Sequence, residues 1–531
     1  MQKPPKMVWL RCWLRVLGSE MEWGTIILAS LPIIILLLYW HFTRTFSHWR
    51  KKGVFYIEPQ IFFGNVKDRF TFRCSFHEMQ LRLYKQFEGH PFAGYFEGRR
   101  PVLIVRDPDL IRNIMVRDFD CFVDRPVLRL KNRPHIDNML INLKGAEWKK
   151  VRAMLTPTFS SGKLKSMEEI VVQCGNQMTR YLTEHVTDNN NEFEMKDLFG
   201  RFTMDVIATC AFGVQCDSLK DPNDEFVKTA SEFNDISVLD RVIILAVLFI
   251  FPPLLKYLPV SFFNEKSIAF LAKVVQDTKD YRKNNESARR NDFLQLVLDA
   301  AAKENEDIKE QRIQESVMTD DKIVAQSVLF LLAGYETSST LLSYASYELA
   351  LSPDVQEKAR NEVKKVLSKY GGVCTYEALN EMNYLENVLS EALRMHPPVA
   401  RIDRMCTKPY TIPGTDVKID VGDSVSIPVM GLHYDPQYYP DPYKFDPDRF
   451  VAEEKLKRPS HVYLPFGGGP RNCIGARFAI MSTKIGMAHL LKDFNLKRYE
   501  KTDVPCQIDT KSMLLKSKNG IWLRLEKINA H

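Results

Sequence analysis

Cys473 is the residue whose surroundings most clearly predict chemistry. It lies in the segment Phe466 to Gly475, which reads FGGGPRNCIG. The three glycines and the proline exclude a regular helix or strand, whereas residues 476–491 carry apolar side chains at helical spacing. A cysteine just before a helix, with Arg471 two residues away, is expected to have a lowered pKa. The sequence therefore predicts a thiolate able to bind a metal.

The metal site that this cysteine suits is limited by its isolation. A zinc ion needs three or four protein ligands, and the sequence has no second Cys or His near Cys473 at zinc-ligand spacing. A haem iron needs one axial ligand from the protein because the porphyrin supplies four nitrogens. The alternative is a buried structural cysteine after a glycine turn. The spacing of Phe466, Gly469, Arg471, Cys473 and Gly475 resembles the haem-thiolate loop of the cytochrome P450 family.

An acid and an alcohol lie side by side in the middle of a long predicted helix. Thr319 is a suitable N-cap and Pro353 ends the pattern, which gives a length of about 50 Å. Midway, Gly334 lets a flat group approach the backbone, and Thr337 can bond to an upstream carbonyl and open the helix locally. Glu336 and Thr337 could together relay protons. An ordinary helical Glu-Thr pair is the alternative, but the segment resembles the AGx(D/E)T oxygen-binding segment of the same family.

A third motif is the pair Trp148 and Arg152, which are four residues apart and share a helix face. The pair could donate an indole N–H and a guanidinium to one acidic group, or the ring could stack on its own helical arginine. The resemblance implies that both bind a haem propionate, with Arg125, Arg404 and Arg471 as further propionate partners. It also implies that Phe466, Gly475 and Gly334 contact the cofactor.

A fourth motif is an ExxR sequence on a helix that His396-Pro397-Pro398 ends. An isolated pair of this kind is usually a surface ion pair. The resemblance implies instead that Glu391, Arg394 and the later Arg449 form a buried network that supports the cysteine loop.

The N-terminus predicts a membrane anchor. Residues 23–43 are uncharged if His41 is neutral, rich in Ile and Leu, and followed by Arg44, Arg50 and Lys51. We therefore expect a prefix at 1–22, a transmembrane anchor at 23–43, a linker at 44–65 and a haem-thiolate monooxygenase domain at 66–531. Positive charges on both sides leave the orientation open, unless Met21 is the natural start, which would place the body in the cytosol.

Composition excludes other classes of function. The net charge of +7 is diffuse, without the aromatic and basic runs of a single-strand binder, so we expect no nucleic-acid partner. The ten cysteines include no CxxC pair, which predicts a reducing compartment.

The resemblance implies a mainly α fold with small β sheets, the cytochrome P450 fold, preceded by one transmembrane helix, with its small sheet-rich part near the N-terminus. It implies haem b and insertion of one atom of O2 into a lipophilic small molecule. The implied electron source is NADPH through a flavoprotein reductase, with cytochrome b5 as a second donor. The implied location is the endoplasmic reticulum membrane, single-pass, with a cytosolic catalytic domain. The local sequence around Arg404 and the cysteine loop is similar to that of the xenobiotic-metabolising branch, including insect detoxification enzymes.

Several alternatives stay open. Lys149, Lys150, Arg477 and Lys484 could dock the reductase or form a solvated face. The apolar segment 242–263 could be core or could dip into the bilayer surface. A family-type isomerase or dehydratase that works without O2, and a non-catalytic haem-binding protein, are the two other function classes. Segments 127–133, 330–333, 399–402 and 513–515 are expected to face the substrate and identify no particular molecule.

Overall fold

A computed structural model describes residues 23–127, 133–187, 191–214, 216–221, 224–234, 236–258, 260–261, 263–290, 292–310 and 316–528. Helices dominate these residues and the strands are few and short, so the predicted mainly α fold with small sheets is confirmed. The predicted prefix at 1–22 and most of the pocket segment 127–133 lie outside the described residues.

Thirteen α-helices precede the long central helix in the part of the chain that the structure describes. They are α1 Trp23–Thr43, α2 His48–Lys51, α3 Lys67–Phe70, α4 Phe76–Gln86, α5 Pro108–Arg112, α6 Pro134–Asp137, α7 Gly145–Leu155, α8 Ser161–His185, α9 Met195–Phe212, α10 Glu225–Ser231, α11 Val238–Ile250, α12 Glu265–Asn284 and α13 Phe293–Lys309. The later helices are α14 Asp320–Leu351, α15 Pro353–Lys369, α16 Tyr376–Glu381, α17 Asn383–Met395, α18 Val429–His433, α19 Ala452–Lys457 and α20 Ala476–Asp493.

Helix α14 is the predicted central helix, with 32 residues. Thr319 caps it, because its hydroxyl accepts a hydrogen bond from the Lys322 N–H at 3.4 Å. It ends at Leu351, immediately before Ser352-Pro353. Its sides pack against α9, α12, α17 and α20, so it crosses the domain as the sequence predicts.

The strands form three small sheets. They are β1 Phe92–Glu97, β2 Arg100–Val105, β3 Glu192–Glu194, β4 Ile402–Met405, β5 Tyr410–Thr411, β6 Lys418–Ile419, β7 Ser424–Ile427, β8 Phe494–Lys497 and β9 Trp522–Lys527. The largest sheet has the order β1-β2-β7-β4, and β2 pairs with β7 in parallel. The predicted N-terminal sheet therefore takes half of its strands from residues 402–427, a long-range pairing that local sequence does not reveal.

The predicted linker at 44–65 is packed onto this sheet. Trp49 is fully buried, and its indole N–H donates to the Tyr95 carbonyl at 3.2 Å. A side chain at Gly94 would collide with the Trp49 ring, so this glycine makes room for the indole. Lys52 adds ion pairs to Asp420 and Asp423.

Helix α1 covers the range of the predicted anchor, and its side chains from Leu31 to Trp40 are exposed. Within the described residues, no helix reaches the length and apolar character required to cross a bilayer. The transmembrane anchor therefore stays a prediction.

Candidate active site

The cysteine loop is a closed turn whose shape requires glycine at one position. Gly469 has a φ of 67°, and a Cβ there would lie 1.8 Å from the Met115 carbonyl oxygen. The Cys473 N–H donates to the Phe466 carbonyl at 2.8 Å and closes the loop. Helix α20 begins three residues after Cys473, so the predicted turn-to-helix junction is correct.

The Cys473 side chain is accessible although it lies deep within the domain. Burial raises the pKa of the thiol, and the Gly475 backbone, Arg152 and Arg125 lower it to a smaller extent. The expected low pKa is therefore wrong for the free thiol, because desolvation outweighs the nearby positive charges. An accessible sulfur deep in a protein borders an internal cavity, which is the position that a metal ligand requires.

Trp148 and Arg152 contact different residues of the cysteine loop. Arg152 donates to the Asn472 carbonyl at 3.0 Å and to its side-chain oxygen at 2.9 Å, so it holds the residue next to Cys473. Trp148 is buried and stacks on Arg471, whose guanidinium carbon lies 4.8 Å from the ring centre. The ring thus packs against a distant arginine and not against the one on its own helix.

Arg471 is engaged by backbone groups. It donates to the carbonyls of Val123, Ile141 and Leu143, and it lies 3.8 Å from the Asp124 carboxylate. These contacts tie the cysteine loop to the segment before α7. They leave Arg471 with less capacity to bind a propionate than the sequence suggests.

Arg404 and Arg125 are poorly paired cations, of which Arg404 is buried and Arg125 is half-buried. Arg404 is fully buried and donates to the Asp403 carbonyl at 3.0 Å, while its Nε and second Nη have no partner within the described residues. Burial, together with Arg125 and Arg471, lowers the pKa of Arg404 to about 9. Arg125 makes no hydrogen bond to a described residue, and burial lowers its pKa as well.

Buried polar atoms in native proteins are almost always satisfied, so the unpartnered nitrogens of Arg404 call for an anionic partner, and the nearby Arg125 charge favours the same kind of partner. Arg125 and Arg152 act electrostatically on Cys473, which places the unpaired charge beside the sulfur. Two carboxylates attached to a flat group that also reaches Cys473 would satisfy both needs. The residues present therefore fit a haem with its propionates toward Arg404 and Arg125.

The middle of α14 is accessible at Ala333, and side chains there bond to carbonyls of the helix, which stays continuous. Ala333 is exposed although α14 is buried on both sides of it. The Thr337 hydroxyl donates to the Ala333 carbonyl at 2.6 Å, which is the predicted upstream contact. The neighbouring Glu336 carbonyl accepts from the Thr340 hydroxyl at 2.8 Å, so side chains compete for the helix carbonyls here.

Gly334 and Glu336 face different neighbours from those that the sequence suggests. A Cβ at Gly334 would lie 2.5 Å from Ile207 on α9, so this glycine permits the close approach of two helices. The Glu336 carboxylate lies 3.0 Å from the Lys196 ammonium at the start of α9. No motif pointed to Lys196.

Aromatic rings join the two helices that would enclose the cofactor. Phe330 on α14 lies 5.7 Å from Phe478 on α20 and stacks on Phe293 at 4.4 Å. Phe159 lies 5.5 Å from Phe330, and a Cβ at Gly475 would lie 3.8 Å from the Phe159 ring. The exposed Ala333 is one turn from Phe330, so this ring cluster joins the accessible part of α14 to the first turn of α20.

The structure brings Glu391, Arg394 and Arg449 together in the protein interior. Glu391 and Arg394 are fully buried, and the guanidinium donates to both carboxylate oxygens at 2.7 and 2.8 Å. Arg449 Nε lies 3.4 Å from Glu391. The surface-pair alternative is therefore wrong, because a surface pair would be solvated.

The proposed docking cations divide into two groups. Lys149, Lys150 and Arg477 are exposed. Lys484 is buried and donates to the Leu379 carbonyl at 2.6 Å and to Glu386 at 3.1 Å. Its place in a docking surface is therefore wrong, since it points into the interior.

The fold and the site define a class of protein: a mainly helical domain that presents one cysteine to an internal cavity. Two arginines, Arg125 and Arg404, lie near it without a full set of partners in the described residues. The family model for cytochrome P450 matches residues 57–524. Cytochrome P450 9e2 of Blattella germanica is 38% identical over 519 residues, which cover 94% of this chain and 97% of that protein. Probable cytochrome P450 6a13 of Drosophila melanogaster is 38% identical over 493 residues, covering 92% and 97%.

The chain belongs to the cytochrome P450 family and is a monooxygenase-class oxidoreductase, for which the family implies a haem iron. The predicted family and its similarity to insect members are confirmed.

Proposed function

We propose that this protein is a membrane-held haem-thiolate monooxygenase that oxidises a lipophilic small molecule with electrons from NADPH, delivered by a flavoprotein reductase. The observation that carries the proposal is the accessible Cys473 beside Arg125, which in turn lies near the unpartnered guanidinium nitrogens of Arg404. A bound haem would supply the iron at which O2 is activated.

The residues around the cavity have distinct roles in this proposal. Cys473 binds the iron, while Arg404 and Arg125 bind the propionates. Arg152 and Arg471 hold the loop and its neighbours in place through Asn472 and the backbone carbonyls. Phe466, Trp148 and Gly475 complete the wall on the cysteine side. Glu391, Arg394 and Arg449 support the loop from the protein interior.

Thr337 and Glu336 move protons in this proposal. The Thr337 hydroxyl is partly exposed beside Ala333. Its hydrogen is donated to the Ala333 carbonyl, so its oxygen can accept a hydrogen bond from a proton-carrying group. Glu336 can pass a proton only after its contact with Lys196 loosens, because a carboxylate held by an ammonium is a weak proton carrier. Water would connect the two groups.

The electron donor approaches the exposed cations Lys149, Lys150 and Arg477 on the cysteine side. An acidic flavoprotein surface fits these charges, and cytochrome b5 is a second candidate for the same surface. A reduction rate that does not change with salt would contradict this docking.

The membrane holds the protein through α1 and apolar side chains near it. Leu36 and Ile33 are exposed on α1, and Val242, Leu254 and Tyr257 are exposed in the segment 242–263. Ile244 and Leu255 of the same segment are buried, so it presents one face to the protein and one outward. This favours contact with a bilayer surface, at the endoplasmic reticulum with the domain in the cytosol.

The decisive experiment is spectroscopic. The reduced, carbon-monoxide-bound protein is expected to show the red-shifted Soret band of a thiolate-ligated haem, and Cys473→Ser should lose it. A full-strength shifted band in Cys473→Ser would overturn the ligand assignment. Turnover of lipophilic compounds that requires NADPH and reductase separates the proposal from an isomerase or a non-catalytic haem protein.

A further inference from the structure

His433 links the Glu391–Arg394 pair to the start of the cysteine loop. It is the last residue of α18 and is fully buried. Its Nδ1 lies 3.0 Å from the Arg394 carbonyl, and the Leu464 N–H donates to its Nε2 at 2.9 Å. One imidazole therefore bridges the end of α17 and the segment that leads to Cys473.

The two contacts set the protonation of the ring. A backbone N–H can only donate, so Nε2 must accept from Leu464, and Nδ1 must carry the proton that it donates to Arg394. Burial and the charge of Arg394 lower the pKa of His433 to about 3, which keeps the ring neutral. The His433 ring is thus held in the neutral tautomer that carries its proton on Nδ1.

Within the described residues, the Arg394 carbonyl and the Leu464 N–H have no backbone hydrogen-bond partner in a helix or sheet. Arg394 is in the last turn of α17, where carbonyls have no hydrogen bond within the helix. Leu464 is buried in a segment outside the strands. Without His433 the structure would bury a free carbonyl and a free N–H, each of which destabilises the local fold.

Leu464 forms the first backbone hydrogen bond of the cysteine loop. Its carbonyl accepts from the Gly467 N–H at 3.1 Å, and two residues later the Phe466 carbonyl accepts from the Cys473 N–H at 2.8 Å. The Arg394 guanidinium also donates to the His433 carbonyl at 2.8 Å, so the two residues bind each other reciprocally. The His433 ring stacks on Tyr463, which fixes its plane.

We propose that His433 is a positioning residue that fixes Leu464 and thereby holds the cysteine loop with its sulfur toward the cavity. His433 thereby connects the loop, through hydrogen bonds, to the buried Glu391–Arg394 pair. The inference rests on the proposed function for the role of the sulfur, but the restraint on Leu464 is a property of the protein alone.

The test compares three variants of the full-length protein. His433→Phe keeps a planar ring without hydrogen bonds, and His433→Gln offers one acceptor and one donor at similar reach. His461→Asn is the control, since His461 lies three residues from Leu464 and its Nδ1 contacts the Ser460 hydroxyl. Asparagine tolerates the positive φ of 69° at position 461.

In His433→Phe, amide hydrogen exchange at Leu464 and Cys473 should be at least about tenfold faster than in the wild type, because the loop opens locally. The reduced carbon-monoxide spectrum should shift in part to the unshifted band of a haem that has lost its thiolate. His433→Gln should restore most of both properties, and His461→Asn should match the wild type.

Wild-type exchange at Leu464 in His433→Phe would overturn the inference. If that variant does not fold, His433→Gln decides: a wild-type spectrum with slow exchange supports the bridge, and a lost thiolate band refutes it. A wild-type protein without the thiolate band would instead contradict the proposed function, and exchange at Leu464 would still decide the role of His433.

Discussion

The ammonium of Lys196 lies 3.0 Å from the carboxylate of Glu336, the acid that precedes Thr337. Lys196 also reaches the Glu336 carbonyl at 2.9 Å and the hydroxyls of Ser339 and Thr340 at 2.8 Å. A lysine has three donor hydrogens, so these acceptors share them. Burial lowers the pKa of Lys196, and Glu336 opposes that effect. Glu336 is thus held by Lys196 on α9 and is not free to relay protons in this arrangement.

Lys196→Met should destabilise the protein by about 1–2 kcal/mol, because it leaves the partly buried Glu336 carboxylate without its counter-charge. The double variant Lys196→Met with Glu336→Gln should recover part of this loss, since the unpaired charge is gone. Urea unfolding of the single and double variants measures the effect. Strictly additive losses would show that the two side chains do not interact.

Arg404→Met should have opposite effects on the haem-free and haem-loaded protein. Removal of a buried cation with unpartnered nitrogens should stabilise the haem-free form by about 1–3 kcal/mol. The same change should weaken haem retention, because a propionate loses its partner. Thermal unfolding of the haem-free protein and haem transfer to an acceptor protein measure the two effects.

Arg401→Met is the matched control for this prediction. Arg401 lies on the same stretch of chain but pairs with Glu97 and, at 3.0 Å, with Asp403. Its removal should destabilise the haem-free protein, since Asp403 loses an ion pair and Glu97 keeps only Arg100. Equal effects of both variants on the haem-free form would refute the assignment of Arg404 as an unpaired cation.

Glu391→Ala and Arg394→Ala should each yield little haem-loaded protein. Glu391→Ala leaves the buried Arg394 without a carboxylate, and Arg394→Ala leaves the buried Glu391 with Arg449 alone. Loss of one partner of a buried ion pair costs about 3–5 kcal/mol. Glu386→Ala, on the same helix, is the control because the Glu386 side chain is 47% exposed and pairs with Lys484. The ratio of haem absorbance to protein after purification is the measurement. Normal haem content in either network variant would contradict the support role.

Replacement of the exposed and the buried lysines should separate docking from stability. Lys149→Glu and Lys150→Glu should slow reduction by the flavoprotein reductase and weaken its salt dependence, because they reverse charge on the surface. Lys484→Met should lower the thermal midpoint without changing the salt dependence, since Lys484 binds Leu379 and Glu386 in the interior. Salt-dependent reduction lost in Lys484→Met would contradict this division.

Short-range patterns in the sequence predicted the central helix, the turn before α20 and the ExxR pair, because each depends on local spacing. Thr319 and Pro353 set the ends of α14 to within a residue or two. Local spacing does not reveal the pairing of β2 with β7, since it joins residues more than 300 positions apart in the sequence.

The sequence predicts which residue types form the site better than it predicts the contacts that those residues make. Arg152, Arg404 and Arg471 are the same kind of side chain, yet one holds Asn472, one is unpaired and one binds three carbonyls. Which acceptor an arginine meets depends on tertiary packing. The same applies to Lys196 and His433, whose partners lie on other elements and leave no periodic signal in the sequence.

The pH dependence of stability should carry a contribution from Asp205. This carboxyl is buried on α9 and accepts from the Ser218 N–H at 3.1 and 3.3 Å. Burial raises its pKa to about 7, although the Ser218 contacts lower it. Between the unfolded value near 4 and about 7, the folded state holds a proton that the unfolded state has lost. Stability from this group therefore falls as pH rises through that window and is constant above it.

Asp205→Asn removes this titration while keeping an oxygen that can accept from Ser218. Between pH 5 and pH 8 the wild type should lose about 2–3 kcal/mol relative to the variant, because the raised pKa favours the protonated form at the lower pH. Urea unfolding of both proteins across this range gives the difference free of the other titrating groups, which the two share. A difference that stays constant with pH, or grows in favour of the wild type, would show that Asp205 is ionised in the folded protein throughout.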